Sequence, residues 1–573
     1  MPILPKRVVL ELEQYPAPEE GRYAFVRLDF NENTTGYPKA YPQDMPAITV
    51  SAYPEYANLT QKIADLYKLD PSWLMLTNGS DDGISIVAQT FIEPGEDSAV
   101  VSKPCFVVIL QSLKLAGAKM MEVPLTKELS FDIEGIEKAL KQSPKIAMFA
   151  SPDNPTGSLL DAQIIRRWCT EYPKTLFAID EAYGEFADSS MVEHVKQIDN
   201  LVVLRTFSKA WGMAGLRLGI VFGNPKLVEY MNVVRLPYTV NSAAVWTASQ
   251  LLDRSQEVLA GAKATLKEKE RMVEQLQHRG FKMHVGHGNS VLLQAGFNAQ
   301  PLTEFCRRRG VLVRNRSNVR FPDDLNGKRD LTWGLVRISV GSPGETEKLV
   351  SAIDEFHKRY GLIFDLDGTL IDVSNSYDQT VAQLFEKHAG KPLDMKQLQS
   401  LRAEGGFNDD WVATVELLKR SGVRITLEDI TAEAVPLYMS IASKSERLFC
   451  ELSVLERLAA RHPLFVVTGR TRREYEQVWG ERLGKVFQGV YCIGDLPGKQ
   501  PKPSPDYLHH VLETHSLKGG AYVGNAVDDM QAARAAGLDA IGITTTQPAT
   551  VLGQAGSHLC LPSVASLAEV LMV

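Results

Sequence analysis

The chain has 573 residues, 44% hydrophobic and 23% charged, which suits a folded protein with a large core and excludes a disordered or fibrous one. A count of 62 Lys and Arg against 69 Asp and Glu leaves a net charge of −7, so no basic field exists to hold a nucleic acid or an anionic membrane by charge. The first twenty residues, MPILPKRVVLELEQYPAPEE, break every apolar stretch with charge or proline and hold neither a signal core nor a membrane span.

At roughly 150 residues per domain, two to four domains are expected. Six cysteines are spread singly, without zinc-site spacing or disulfide density, which reads as a reducing cytoplasm. The close histidine pairs, His284 with His287 and His509 with His510, match no metal-ligand pattern and read as core or surface residues.

No internal repeat appears. Short apolar runs alternate with longer helical patterns, the signature of α/β architecture. The runs 145–150, 176–179, 201–204 and 218–222 read as buried parallel strands. A helical pattern over 345–360 ends in basic residues and Gly361, and the apolar strand LIFDLD starts at once. The expected division is therefore 1–360 and 361–573, with almost no linker.

Within the first part, Asn78-Gly79-Ser80-Asp81-Asp82 opens a helix over 83–91, and a helix start with a glycine is an anion site. The strand KIAMFA is followed by SPDNPTG, whose prolines and glycine make a sharp turn presenting Asn154. The strand LFAI ends in Asp180, with Tyr183 close behind, where open α/β sheets place ligands. After the strand LVVL come Thr206, Ser208 and Lys209, with Arg217 eight residues beyond the lysine. A lysine there can form an imine while its neighbours hold a phosphate. The combination points to pyridoxal phosphate: Asp180 keeps the pyridine nitrogen protonated, so the ring becomes an electron sink, and Asn154 donates to the ring hydroxyl.

In the second part, LIFDLDGTL sets Asp365 and Asp367 two apart at a strand end, on one side of an extended backbone. On the order of 0.01 chance copies of DxDGT are expected in this length. Thr468 in LFVVTGR, Lys502 in GKQPKPSPD, and Asn525 with Asp529 in AYVGNAVDDM follow in order.

In order and spacing, NGSDD, SPDNPTG, DEAY and TFSKAWGMAGLRLG resemble the fold-type-I, pyridoxal-phosphate-dependent aminotransferases of the histidinol-phosphate group, over residues of about 20 to 357. The resemblance implies that Lys209 is the Schiff-base lysine and proton shuttle. It makes Asp180 the partner of the pyridine nitrogen, and Tyr183 and Asn154 the contacts to the ring hydroxyl. Gly79, Ser80, Asp81, Thr206, Ser208 and Arg217 then surround the phosphate, and Phe106 of KPCF covers the ring. The family usually has tyrosine at that stacking position; phenylalanine keeps the stacking and loses a hydroxyl. LDFNENTTGYP, with Asn33, resembles the substrate-covering segment. Tyr53 of YPEY matches a tyrosine that reaches a neighbouring subunit's cofactor phosphate, which implies a homodimer. Arg314 and Arg337 match arginines that grip the substrate's anionic group, and a guanidinium suits phosphate and carboxylate equally. The implied reaction moves an amino group from a phosphorylated amine to a 2-oxo acid, 2-oxoglutarate. An aromatic amino-acid aminotransferase and a threonine-phosphate decarboxylase remain alternatives.

The second set of motifs resembles the haloacid-dehalogenase-like phosphatases of the phosphoglycolate-phosphatase type, with a helical cap at about 374–461 on a Rossmann-like α/β core. The resemblance implies that Asp365 attacks phosphorus and Asp367 protonates the leaving oxygen. Thr468 and Lys502 offset phosphoryl charge, and magnesium is held by Asp365, Asp367, Asn525 and Asp529. The family usually has aspartate at the position of Asn525. Asparagine offers an oxygen without charge and leaves Asp528 or Asp529 to compensate. Two readings stay open, an active phosphomonoester hydrolase of unassigned substrate and a non-catalytic binding or regulatory module.

Overall fold

The computed structural model describes residues 5–12, 20–36, 38, 41, 43–317, 331, 333–404, 406–407 and 409–571. An apolar run without alternation is satisfied only by a strand covered on both faces, and the strand Leu201–Thr206 is buried at every position. It belongs to a seven-stranded sheet in the order Leu74–Thr77, Gly219–Gly223, Leu201–Thr206, Leu176–Asp180, Ile146–Ala150, Ser98–Lys103, Lys119–Pro124. Helices cover both faces, with one apolar layer around Phe149, Trp168 and Phe177 and the other around Ile84, Val87 and Leu113. Parallel register sets Asp180 between Ala150 and Leu204, so the loops that follow these three strands open side by side.

Two sequence expectations change here. The run 218–222 forms the strand Gly219–Gly223, which is antiparallel to Leu201–Thr206 and to Leu74–Thr77. The segment between Thr206 and Gly219 holds only a short 3₁₀ turn, Ala214–Leu216, and without a crossover helix the returning strand must reverse. The helix expected over 83–91 runs Gly79–Phe91. Asp82 accepts the Asn78 N–H at 2.9 Å and satisfies a backbone donor at the helix start, so the polar NGSDD run becomes the first turn.

A smaller antiparallel sheet follows, in the order Arg314–Asn315, Leu335–Ser339, Ser290–Gln294, Met283–His284. Its register places Arg314 directly opposite Arg337. By packing, the chain divides into two units near Val350 and Ser351, within the helix Pro343–Arg359.

The second unit is built on a six-stranded parallel sheet in the order Gly489–Ile493, Leu464–Thr471, Tyr360–Phe364, Gly519–Gly524, Asp539–Ile543, Leu559–Leu561. The first strand in sequence sits near the middle, so the chain order reverses beside it, and ligands collect at the carboxyl ends of such strands. Between the first two strands, the helices Tyr377–Ala389, Met395–Ala403, Asp410–Arg420 and Leu427–Ser445 pack on one another. The next helix, Leu452–Ala459, packs instead against the last helix, Val564–Val570. No helix among the described residues is long and apolar enough to cross a membrane.

Candidate active sites

The first site is assembled from the carboxyl ends of adjacent strands. Lys209 follows the strand Leu201–Thr206, and its Nζ donates to the Phe30 carbonyl at 3.0 Å while lying 5.6 Å from the centre of the Tyr183 ring. Asp180 ends the neighbouring strand. It is 3% exposed, and one oxygen accepts the Ala182 N–H at 3.1 Å. Burial, then the nearby Asp81 carboxylate, pushes its carboxyl up to about 7, against the pull of the Ala182 N–H and the Lys209 ammonium. Tyr183 is buried, and its hydroxyl accepts from the Asn31 side chain at 2.9 Å. Asn154 accepts from Arg337 at 2.6 Å, and Arg337 also donates to the Asp29 carbonyl at 2.6 Å.

A second cluster lies at the start of the helix Gly79–Phe91. Arg217 donates to Ser208 Oγ at 3.2 Å and pairs with Asp81 at 2.9 Å, and the Thr206 and Ser208 hydroxyls are 3.0 Å apart. Gly79 has φ +80°, a left-handed conformation that favours glycine, and a Cβ there would stand 2.6 Å from Arg217 Nη2 and push the guanidinium aside. Ser80 is buried in the same turn. Backbone N–H groups, two hydroxyls and a guanidinium together make an anion cradle.

The remaining expected residues are placed as follows. Phe106 precedes the helix Val107–Ala116 and packs on the apolar layer beneath it. Asn33 donates to the carbonyl of Ala210, next to Lys209 in sequence, at 3.0 Å. Arg314 lies 4.9 Å from the centre of the Phe30 ring. Tyr53 is 76% exposed and stacks on Tyr238 with ring centres 4.4 Å apart, rather than joining the cluster around Lys209. Sequence reading missed Phe30 and Asn31. Phe30 supplies the carbonyl that receives Lys209, and its ring lies near both Arg22, at 5.0 Å, and Arg314. Asn31, at φ +53°, bonds Ser339 as well as Tyr183. Both lie in LDFNEN, and no local pattern marks a backbone carbonyl or a left-handed asparagine as a site element.

The second site lies in the second unit. Asp365 emerges from the strand Tyr360–Phe364, is buried, and accepts from Lys502 at 2.7 Å. Lys502 also donates to Asp529 at 2.7 Å. Burial opposes its charge, but the two carboxylates outweigh that and push the ammonium well above its ordinary range. Burial likewise raises the Asp365 carboxyl, with Lys502 opposing the rise. Thr468 is buried, and its hydroxyl oxygen accepts the Arg470 N–H at 3.1 Å. A cavity of about 260 Å³ is lined by Asp365, Asp367, Arg470, Asn525 and Asp528, with Trp411 from the helical insert on its wall.

Asp529, expected as a metal ligand, is fully buried and does not line this cavity. Its oxygens accept from Lys502, Tyr522, and the backbone N–H groups of Asn525 and Ala526. It therefore holds the helix start and the lysine in place. Asp528 lines the cavity, one oxygen accepting the Gly406 N–H at 2.8 Å. Asn525 accepts from Thr369 at 2.9 Å and donates to Thr546 at 2.6 Å. Thr369 Oγ1 also lies 3.4 Å from Asp365, so Asp365 and Asn525 offer oxygens around one point. Among the described residues no group of three or more His, Cys, Asp or Glu is placed to hold a metal ion. Sequence reading also missed Arg470 and Glu446. Arg470 makes a fork on Asp367, with Nε 2.8 and 3.0 Å from its oxygens.

Residues 27–353, more than half of the chain, match the family Aminotransferase class I and II, and the chain belongs to that family. Residues 362–543 match Haloacid dehalogenase-like hydrolase, so a hydrolase-like domain follows the aminotransferase. The histidinol-phosphate aminotransferase of Caldanaerobacter subterraneus subsp. tengcongensis is 31% identical over 337 residues, covering 57% of this chain and 92% of its own. Histidinol-phosphate aminotransferase 1 of Mannheimia succiniciproducens is 32% identical over 346 residues, covering 58% of this chain and 90% of its own. Among solved structures, the histidinol-phosphate aminotransferase of Clostridium acetobutylicum matches with a TM-score of 0.51 at 22% identity, covering 57% of this chain and 98% of that one. That of Sinorhizobium meliloti, solved in complex with pyridoxal-5'-phosphate, matches with a TM-score of 0.50 at 22% identity, covering 61% and 95%. At these identities the solved structures establish the fold of the first unit.

Family membership implies pyridoxal phosphate, and the residues present fit it. The cradle around Arg217 suits a phosphate, and Asp180, buried and pushed up to about 7, is a carboxylate that a protonated ring nitrogen would relieve. Magnesium fits less fully. Asp365, Asn525 and Asp528 are oxygen donors on one cavity, enough for an ion that keeps waters and binds substrate phosphate, but with less charge than a full carboxylate set.

Proposed function

We propose that the first domain, residues 1–360, transfers the amino group of histidinol phosphate to 2-oxoglutarate with pyridoxal phosphate. We further propose that the second, residues 361–573, is a magnesium-dependent phosphomonoester hydrolase whose helical cap, expected over about 374–461, ends before the helix Leu452–Ala459, which packs on the last helix instead. The observation that carries the first reading is Lys209 Nζ lying 3.0 Å from the Phe30 carbonyl and against Tyr183, beside the buried Asp180 and the Arg217 cradle. The identity of 31–32% to histidinol-phosphate aminotransferases supports the substrate.

Bound pyridoxal phosphate supplies an aldehyde for the substrate amine and a ring that takes up the electron pair left when Cα–H breaks. Lys209 Nζ would take the Cα proton and give it up, from the same face, to the carbon that carried the cofactor's aldehyde. Asp180 holds the proton on the ring nitrogen. Tyr183 and Asn154 orient the ring hydroxyl, Phe106 covers the ring, and Gly79 to Asp81 with Thr206, Ser208 and Arg217 bind the phosphate. Arg314 and Arg337 receive the substrate's anionic group, and Asn33 tethers the covering segment to the backbone beside Lys209. In the second domain Asp365 attacks phosphorus, Asp367 protonates the leaving oxygen, and Thr468 and Lys502 offset phosphoryl charge. Asp365, Asp367 and Asn525, with Asp528 in place of Asp529, would hold magnesium.

Tyr53, Ile48 and Val50 remain exposed, which supports a homodimer that covers them. Free thiols at all six cysteines support the cytoplasm as the compartment. The uncharged Asn525 favours a second reading of the later domain, a module that binds phosphate without turnover.

Single-turnover spectra with histidinol phosphate, phenylalanine and threonine phosphate, read beside carbon dioxide release, test the first assignment. Spectral conversion by histidinol phosphate without carbon dioxide is expected; conversion by either rival alone overturns it. Phosphate release with and without magnesium separates hydrolase from binding module.

A further inference from the structure

Beyond the residues that face a phosphate, the cavity beside Asp365 carries negative charge and aromatic rings. The two guanidiniums among its lining residues, Arg402 and Arg470, are already engaged. Arg470 forks Asp367 at 2.8 and 3.0 Å and reaches Glu446 at 3.1 and 3.0 Å. Arg402 pairs with Asp378 at 2.8 Å and with Asp410 at 2.5 Å. Glu474 lines the same cavity and is only 5% exposed. One of its oxygens accepts the Thr471 N–H and hydroxyl, each at 2.8 Å, and so completes the start of the helix Arg472–Tyr475. Its other oxygen accepts no hydrogen bond among the described residues, and neither Glu474 nor the cavity-lining Asp409 makes an ion pair among them.

Aromatic rings stand beside this carboxylate. Tyr377 and Trp411 are both buried on the cavity wall, with ring centres 5.5 Å apart. Burial raises the Tyr377 phenol; Arg470 opposes the rise, and Tyr438, Asp367 and Glu474 add to it, so Asp367 and Glu474 both lie near this ring. A buried carboxylate with an unbonded oxygen bears a desolvation penalty that no cation of the chain offsets. A bound ammonium would offset it, and the faces of the rings attract cations as well. A substrate carboxylate at the same place would meet uncompensated negative charge.

We infer that this part of the cavity receives a substrate ammonium, so that the second domain acts on phosphomonoesters of amino alcohols. Glu474 sets the preference, and Tyr377 and Trp411 form its aromatic wall. The inference rests on the hydrolase reading above, which supplies the phosphate end of the site. Water adds across the ester P–O bond, its hydroxyl going to phosphorus and a proton to the alcohol oxygen, so the products are inorganic phosphate and a free amino alcohol. This is the chemical class of the phosphorylated amine proposed for the first domain, and the two domains would then act on one kind of molecule.

The test uses the full-length chain in magnesium. Phosphate release is measured from 2-aminoethyl phosphate, from propyl phosphate, which has a methyl group in place of the ammonium, and from 2-phosphoglycolate, which has a carboxylate there. Calorimetry measures binding of the non-hydrolysable 3-aminopropylphosphonate and butylphosphonate, a pair with no leaving group to confuse the comparison. The amine should give the highest kcat/KM and the carboxylate the lowest, and the aminophosphonate should bind about tenfold more tightly than butylphosphonate. Glu474→Gln, which keeps an acceptor for Thr471, should reduce that preference to about twofold, whereas a merely structural role would weaken both phosphonates alike. Trp411→Leu should reduce it to about threefold, which covers the case of a glutamine variant that fails to fold. Equal binding of the two phosphonates by the wild type, or a preference that both variants keep, overturns the inference. Release of phosphate from none of the three esters, with the aminophosphonate still preferred in binding, overturns the hydrolase reading and supports the ammonium site.

Discussion

Replacing Asp180 by asparagine should stabilise the cofactor-free chain, and do so only at higher pH. Burial is the largest influence on this carboxyl and Asp81 adds to it, while the Ala182 N–H and the Lys209 ammonium oppose them; the result is a rise from 3.8 to about 7. The folded chain therefore holds this proton more tightly than the unfolded one. The contribution is fully present below about pH 4 and is lost as pH rises through about 7. A rise of about three units, at about 1.4 kcal/mol each, makes the ionised carboxylate cost roughly 4 kcal/mol above neutrality. At 3% exposure the group has little solvent to screen it. Urea unfolding of cofactor-free wild type and Asp180→Asn, followed for the first unit at steps between pH 5 and 8.5, measures the difference. The variant's advantage should grow with pH up to about 7 and then level off. An advantage that does not change with pH would refute the reasoning, because an un-ionisable asparagine can differ from the acid in pH dependence only through that proton. With cofactor bound the sign reverses in function: the variant loses a charge-assisted bond to the ring nitrogen, about 2–3 kcal/mol, and about 100-fold in transamination rate.

Three further outcomes are expected. Gly79→Ala sets a Cβ 2.6 Å from Arg217 Nη2 at a φ of +80°, which should cost about 1–3 kcal/mol and weaken pyridoxal phosphate binding about tenfold in an absorbance titration. Lys209→Ala should fold normally by circular dichroism yet lose the visible absorbance of bound cofactor and all transamination; retention of both removes Lys209 from its role. Asn525→Asp restores a charge beside Asp365 and should lower the magnesium concentration for half-maximal phosphate release about tenfold, whereas an unchanged requirement places position 525 outside the metal's reach.

Much of both sites was legible because strand ends deliver them. LFAI-Asp180, LVVL with Lys209 beyond it and LIF-Asp365 each join an apolar run to a polar group, and parallel pairing then brings the ends together. The direction of Gly219–Gly223 was not legible, because periodicity is the same for parallel and antiparallel strands, and only the length of the connection decides between them. Asp528 and Asp529 were not separable for a related reason. Neighbouring carboxylates on a helix start look alike in sequence, yet Asp528 lines the cavity while Asp529 turns inward to Lys502 and two backbone N–H groups.

The sequence by itself determined which groups carry charge, hydroxyl or amine, and which strands end in them, because those are local matters of residue type and apolar pattern. Tertiary structure alone decided partnership. Arg470 meets an aspartate 103 residues away and a glutamate 24 residues away, and the Phe30 carbonyl receives a lysine 179 residues on. Such pairings depend on where the backbone brings buried polar atoms that must find a partner or bear the cost of desolvation, and a one-dimensional pattern does not encode that meeting.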